Sequence, residues 1–100
     1  MSTVHDGLLT ERAWMRLVTD YAHLRGWLVY HSWRSDHSPA GYPDLTLVRG
    51  ERLVFAELKS QRGELTSSQR AWLTDLERVP GVTVAVWRPD DWQEVQRALA

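Results

Sequence analysis

Lys59 is the only lysine in the chain, and every other long cationic side chain is an arginine. It stands two residues after Glu57, in Phe55-Ala56-Glu57-Leu58-Lys59. Arginine presents a wide planar fork, whereas lysine presents a compact ammonium that acts as a point charge. A single lysine in an arginine-using chain therefore suits a place beside a water or a small nucleophile. Gly41-Tyr42-Pro43-Asp44 precedes it. If the chain between them folds back on itself, Asp44 arrives opposite Glu57. Two carboxylates and an ammonium on one sheet face are what metal-assisted phosphodiester cleavage requires.

A hairpin must deliver that arrangement. Asp44 to Arg49 and Arg52 to Lys59 read as strands, joined by Gly50-Glu51. That dipeptide suits a two-residue turn with Gly at the first central position. The turn pairs Arg49 with Arg52. Counting outward, Val48 meets Leu53, Leu47 meets Val54, Thr46 meets Phe55, Leu45 meets Ala56 and Asp44 meets Glu57. Residues directly opposite share a face, and Lys59, two beyond Glu57, shares it too. A bulge would shift the count by one. Both faces of the hairpin carry apolar residues, which predicts helices on both sides.

The rest of the chain supplies those helices and the remaining strands. From Thr10 to Arg25, Trp14, Leu17, Val18 and Tyr21 fall at helical spacing, flanked by Ala13 and Leu24. Thr10 caps the start and Gly26 the stop. Trp27 to His31 reads as a strand, and Ser32 to Tyr42 as a loop. Thr66 to Val79 reads as a helix with Trp72, Leu76 and Val79 as its apolar stripe. Thr66-Ser67-Ser68-Gln69 forms a capping box at its start, and Pro80-Gly81 ends it. Val82 to Trp87 is a near-continuous apolar run and predicts a buried strand. Its helical link to the strand before it predicts parallel pairing. Asp90 or Asp91 opens a last helix to Ala100, with Trp92, Val95 and Leu99 inward. The fold class is α/β, in the order α-β-β-β-α-β-α, with a four-stranded mixed sheet.

Composition narrows the function classes. One hundred residues fit one domain with a modest core. No apolar run approaches a membrane span and no export signal is evident. Cysteine is absent, which excludes disulfides and thiolate chemistry and fits a cytoplasmic setting. The net charge of −1 means that any nucleic-acid binding rests on a local patch or on a metal offsetting the acids. Six Trp in so short a chain fit a small core that buries area through large side chains.

At about 5 Å, two carboxylates repel by roughly 3 kcal/mol at an effective dielectric near 20. The pair must be protonated, or a cation must lie between its members. Oxygen ligands so placed suit Mg²⁺ or Mn²⁺, with Lys59 beside the attacking water. The competing structural reading is an exposed strand end carrying a weak Glu57–Lys59 salt bridge. Arg34, Arg62 and Arg70 flank the acidic centre as phosphate contacts or as solvated surface. His5 and His23 read as solvated or helix-face residues, and His31 and His37 as strand-end and loop residues, with an approach to the site as the alternative reading. No zinc-like cluster is present.

Gly41-Tyr42-Pro43-Asp44, Glu57-Leu58-Lys59 and Gln69 after Leu65-Thr66-Ser67-Ser68 together resemble the PD-(D/E)xK nuclease superfamily, and within it the VRR-NUC (virus-type replication-repair nuclease) domains. Glu11 fills the place of an early helical glutamate. The resemblance runs from about Glu11 to Trp87. It implies a restriction-endonuclease-like core and a single nuclease domain over residues 1–100. It implies Asp44 and Glu57 as metal ligands with the Leu58 carbonyl beside them, and Lys59 as the catalytic lysine. Glu11 would be a further acid, reaching the metal through water or else only favouring the first helical turn. Gln69 would orient Lys59 or contact phosphate, alongside its capping role. The implied activity is Mg²⁺- or Mn²⁺-dependent DNA hydrolysis, with branched or Holliday-junction DNA as substrate. Repair or phage biology and a homodimer go with it. A flap or duplex-end nuclease, or an idle DNA-binding or assembly module, are the alternatives.

Overall fold

The computed structural model describes residues 9–33 and 37–100. Its elements are α1 (Glu11–Leu24), β1 (Leu28–His31), β2 (Leu45–Arg49), β3 (Arg52–Leu58), α2 (Ser67–Glu77), β4 (Val82–Trp87) and α3 (Trp92–Ala98). One four-stranded sheet has the order β1-β2-β3-β4. β1·β2 and β2·β3 are antiparallel, and β3·β4 is parallel. The expected element order and mixed sheet are present.

The hairpin register is the one predicted from the turn, from Arg49↔Arg52 to Leu45↔Ala56. Gly50 has φ +60, and Glu51 is not in the positive-φ region, as a turn with only its first central residue left-handed requires. Alternation along the strands divides the sheet into two faces. Leu45, Leu47, Val54, Ala56 and Leu58 join Trp14, Val18 and Ala22 of α1 and Val95 of α3 in the main core. The opposite face carries Thr46, Phe55 and Glu57 and takes α2 against β4.

Three of the six tryptophans, Trp14, Trp27 and Trp87, are almost wholly buried. The Trp14 indole donates to the Trp87 carbonyl at 2.9 Å and that of Trp27 to the Leu99 carbonyl at 3.0 Å. The Arg49 and Arg52 guanidiniums lie over the Trp27 ring, 4.8 and 4.9 Å from its centre. Both also donate to carbonyls at the C-terminal end of α3 and beyond it, Arg52 to Ala98 and Arg49 to Ala100 at 2.6 Å. The helix end thus finds the cationic donors its free carbonyls need. Trp33 is the opposite case, 77% exposed.

The tertiary structure corrects three expectations. In α2 the buried residue is Leu73, while Trp72 and Leu76 are half-buried. Val79 lies beyond the helix end and is exposed. β4 is an edge strand, and only Trp87 in it is fully buried. A run of valines with one side unpaired and partial helix cover cannot all reach the core. The last helix begins with a 3-10 turn at Pro89–Asp91, and the Asp91 side chain accepts from the Arg88 N–H behind it, at 2.9 Å, instead of capping forward. Among the described residues no helix is long and apolar enough to cross a membrane.

Candidate active site

The site is built where β2 and β3 stop pairing. Asp44 is the last residue before β2 and Lys59 the first after β3. The Asp44 carbonyl accepts from the Ser32 N–H at 2.8 Å, which extends the β1·β2 pairing by one step. The Asp44 carboxylate accepts from the Leu58 N–H at 2.8 Å. A side chain here replaces the backbone partner that β2 no longer offers. A residue's N–H and C=O leave an extended strand on the same side, so the Leu58 carbonyl leaves β3 on the β2 side as well. The Lys59 N–H turns the other way and donates to Trp87 at 3.1 Å.

The loop holding Asp44 is fixed by its own residues. Gly41 has φ +99, and a Cβ there would lie 2.5 Å from the Ser68 carbonyl atoms and 2.9 Å from the Gln69 nitrogen. Only glycine allows this conformation together with that approach to the first turn of α2. Tyr42 meets Phe55 and Trp72 edge-on, at 6.1 and 5.1 Å between ring centres. Pro43 is fully buried. The loop and the N-terminus of α2 are therefore one packed unit.

That unit brings Gln69 to Glu57. The Gln69 side-chain nitrogen donates to Glu57 Oε2 at 2.9 Å. Its oxygen accepts from the Thr66 N–H at 2.9 Å, and its own N–H donates to Thr66 Oγ1 at 3.1 Å. The capping box and the site contact coexist, and the box holds the amide with its donor end toward Glu57.

Glu57 is 2% exposed, and its Oε1 has no hydrogen-bond partner among the described residues. Burial pushes its pKa up from 4.5 to about 8, with the nearby Asp44 charge adding to the rise and Lys59 opposing it. A buried polar atom without a partner costs on the order of 1–3 kcal/mol. A divalent cation between Asp44 and Glu57 would satisfy that oxygen and displace the proton. Mg²⁺ and Mn²⁺ accept one or two carboxylates and complete their shells with water and phosphate, so the donor set fits them.

A stability prediction follows for the metal-free protein. The folded state holds a proton on Glu57 that the unfolded chain releases above its ordinary value of 4.5. The linkage slope is then negative, so this contribution is fully present below that value and is lost as pH rises through about 8. In EDTA, the melting temperature should fall between about pH 5 and pH 9, and by clearly less in Glu57→Gln. Thermal unfolding across that range checks it. A parent curve that tracks the Gln variant would remove the buried-proton reading.

The other sequence candidates are more scattered. Glu11 is the exposed first residue of α1. Among the described residues no three acidic or imidazole side chains gather closely enough to hold a metal, so Glu11 does not join the Asp44–Glu57 pair directly. Arg62 is exposed in the turn after β3, and Arg70 is exposed on α2. Arg34 and His5 lie outside the described residues. His31 stacks on Trp33 with ring centres 4.3 Å apart. One residue beside the site carries no sequence signal: Ser32, whose buried Oγ has no hydrogen-bond partner among the described residues and whose N–H donates to the Asp44 carbonyl. It stands in a stretch that reads only as loop, and its position depends on β1 pairing with β2.

The family model for the VRR-NUC domain matches residues 11–91. A solved structure described as a VRR_NUC domain protein superposes with a TM-score of 0.68 at 21% identity, covering 92% of this chain and 91% of that one. No curated protein matches the chain significantly.

Proposed function

The chain belongs to the VRR-NUC domain family, nucleases of the PD-(D/E)xK type, and from this membership and the site we propose that it is a divalent-metal-dependent DNA endonuclease. The observation that carries the reading is the buried Glu57 oxygen beside Asp44, which has no hydrogen-bond partner among the described residues, while Gln69 holds the other oxygen. Asp44, Glu57 and the Leu58 carbonyl would hold Mg²⁺ or Mn²⁺, and Glu11 would reach it through water. Bound there, such an ion supplies a water of lowered pKa and neutralises charge on the phosphate.

The protein's own groups do the rest. Asp44 is oriented by the Leu58 N–H, and Glu57 by Gln69. Lys59 places the attacking water and meets the negative charge that grows on the phosphorane oxygens. Arg34, Arg62 and Arg70 contact backbone phosphates, which position the DNA without reading its sequence.

We propose a four-way junction as substrate, cut by a homodimer. A two-fold junction needs two symmetric incisions, and each chain carries one acidic centre, so a C2 pair supplies both. The test incubates labelled junction, flap, duplex and single-stranded DNA with Mg²⁺, Mn²⁺ or EDTA. Sedimentation equilibrium at micromolar concentration runs alongside. Metal-dependent paired incisions in the junction by a dimer are expected. Cleavage confined to flaps or ends would overturn the substrate, and symmetric resolution by a strict monomer would overturn the dimer.

A further inference from the structure

Lys59 lies past the last residue of β3, so the strand alone does not set where its ammonium goes. The turn that follows closes with the Gly63 N–H on the Ser60 carbonyl at 3.2 Å. Arg88, the first residue after β4, reaches into this turn. Its Nη1 donates to the Ser60 carbonyl at 2.9 Å and also to the Gly63 carbonyl. A neighbouring strap ties the same turn to the 3-10 turn before α3, the Asp90 N–H donating to the Gln61 side-chain oxygen at 3.0 Å. Two carbonyls converging on one charged nitrogen make strong, directional contacts.

The turn so held is the wall beside the lysine. A Cβ added to Gly63 would lie 3.6 Å from Lys59 Cδ and 2.9 Å from Ser60 Oγ. The turn at Gly63 therefore stands close to the aliphatic stem of Lys59, with a methyl group's width between them. The backbone of Lys59 is held from the same end of the same strand, through the Trp87 carbonyl. The β4 terminus thus grips Lys59 twice: its backbone through Trp87, and the wall of its stem through Arg88.

We propose that Arg88 is a positioning residue for Lys59, acting through the turn of residues 60–63. This rests on the role of Lys59 stated above. With both contacts made by Nη1, Arg88 is engaged inward on protein carbonyls, which separates it from the exposed Arg62 and Arg70. Loss of its two bonds would free the turn, widen the range of the lysine stem and dilute the reactive geometry. Misplacement by about 1 Å can cost on the order of 10²-fold in rate.

The test uses Arg88→Met, which keeps the stem and removes the donors, in the parent and in a Lys59→Ala background. Single-turnover cleavage in Mg²⁺ is measured with DNA affinity in Ca²⁺ and the melting-temperature rise on adding Mg²⁺. In the parent background the rate should fall by about ten- to a hundredfold, with affinity and ion-dependent stabilisation kept. In the Lys59→Ala background it should fall no further, since residues acting through one group are not additive. Arg88→Gln, which keeps a donor but is too short to reach both carbonyls, should show the same dependence on Lys59 and covers the case of a poorly folded Met variant.

A second readout needs no activity. Lys59 is the sole lysine, so lysine labelled with ¹³C at Cε gives one side-chain resonance. Its relaxation should report a restrained stem in the parent and a mobile one in Arg88→Met. An unchanged resonance, a rate within about twofold of the parent, or equal losses in both backgrounds would overturn the proposal. A loss traced to Ca²⁺ affinity would make Arg88 a phosphate contact and overturn it equally. If Lys59→Ala itself cleaves like the parent, the catalytic reading of Lys59 fails, whatever Arg88 does to the resonance.

Discussion

Asp44→Asn and Glu57→Gln are each expected to bring DNA cleavage down to background while leaving the fold in place. The reason lies in what each substitution keeps. An asparagine oxygen can still accept from the Leu58 N–H that Asp44 engages at 2.8 Å, and a glutamine oxygen can still accept from Gln69. Neither amide carries the charge that draws a hard cation. Glu57→Gln also removes a buried acid whose ionisation is resisted, so the metal-free protein should lose no stability above pH 8, near the raised pKa. The metal itself should be visible in stability. An ion that binds only the folded state at a hundredfold excess over its Kd adds about 2.7 kcal/mol. Mg²⁺ or Mn²⁺ should therefore raise the melting temperature of the parent, and do so much less in either variant. Full parent activity in EDTA would sink the metal mechanism.

Lys59→Ala should lower the single-turnover rate by a factor on the order of 10²–10⁴, the scale of one positioned electrostatic or acid–base group. Metal binding should survive, because an ammonium is not a ligand. DNA affinity in Ca²⁺ should change little, since one phosphate contact shifts the salt slope by only about one unit. Lys59→Arg is the sharper case. It keeps the charge, but a wide planar fork does not fit the place of a compact ammonium beside a water and the buried Glu57. The arginine variant is expected to be nearly as slow as the alanine one. If it cleaves at close to the parent rate, Lys59 serves only as a diffuse positive charge.

What the sequence determined by itself lies close together in the chain. Gly50-Glu51 dictates a tight turn, and the period of a strand then carries the register outward without further information, so Asp44, Glu57 and Lys59 could be set on one face by counting. The Thr66–Gln69 capping box is equally local, since its partners stand three residues apart. The parallel entry of β4 follows from the handedness and length of a helical connection. The order of the Gly41–Asp44, Glu57–Lys59 and Gln69 segments pointed to the family in the same way.

Other features depend on distant elements meeting. Periodicity marks an apolar stripe but not which part of it faces a neighbour, so Leu73 rather than Val79 is the buried residue of α2. An apolar run does not reveal that its strand is an edge, so β4 is only half-covered. Gly41 reads as a loop glycine until the backbone of Ser68 is packed against it. The raised pKa of Glu57 exists only because α2 and the Asp44 loop close over it, removing water from a carboxyl that the linear chain leaves solvated. Arg88 looks like one arginine among many until β4, paired beside β3, carries it to the carbonyls next to Lys59. Spacing places side chains along an element. Their burial and partners depend on which elements pack together, and that is settled by contacts between residues far apart in the chain.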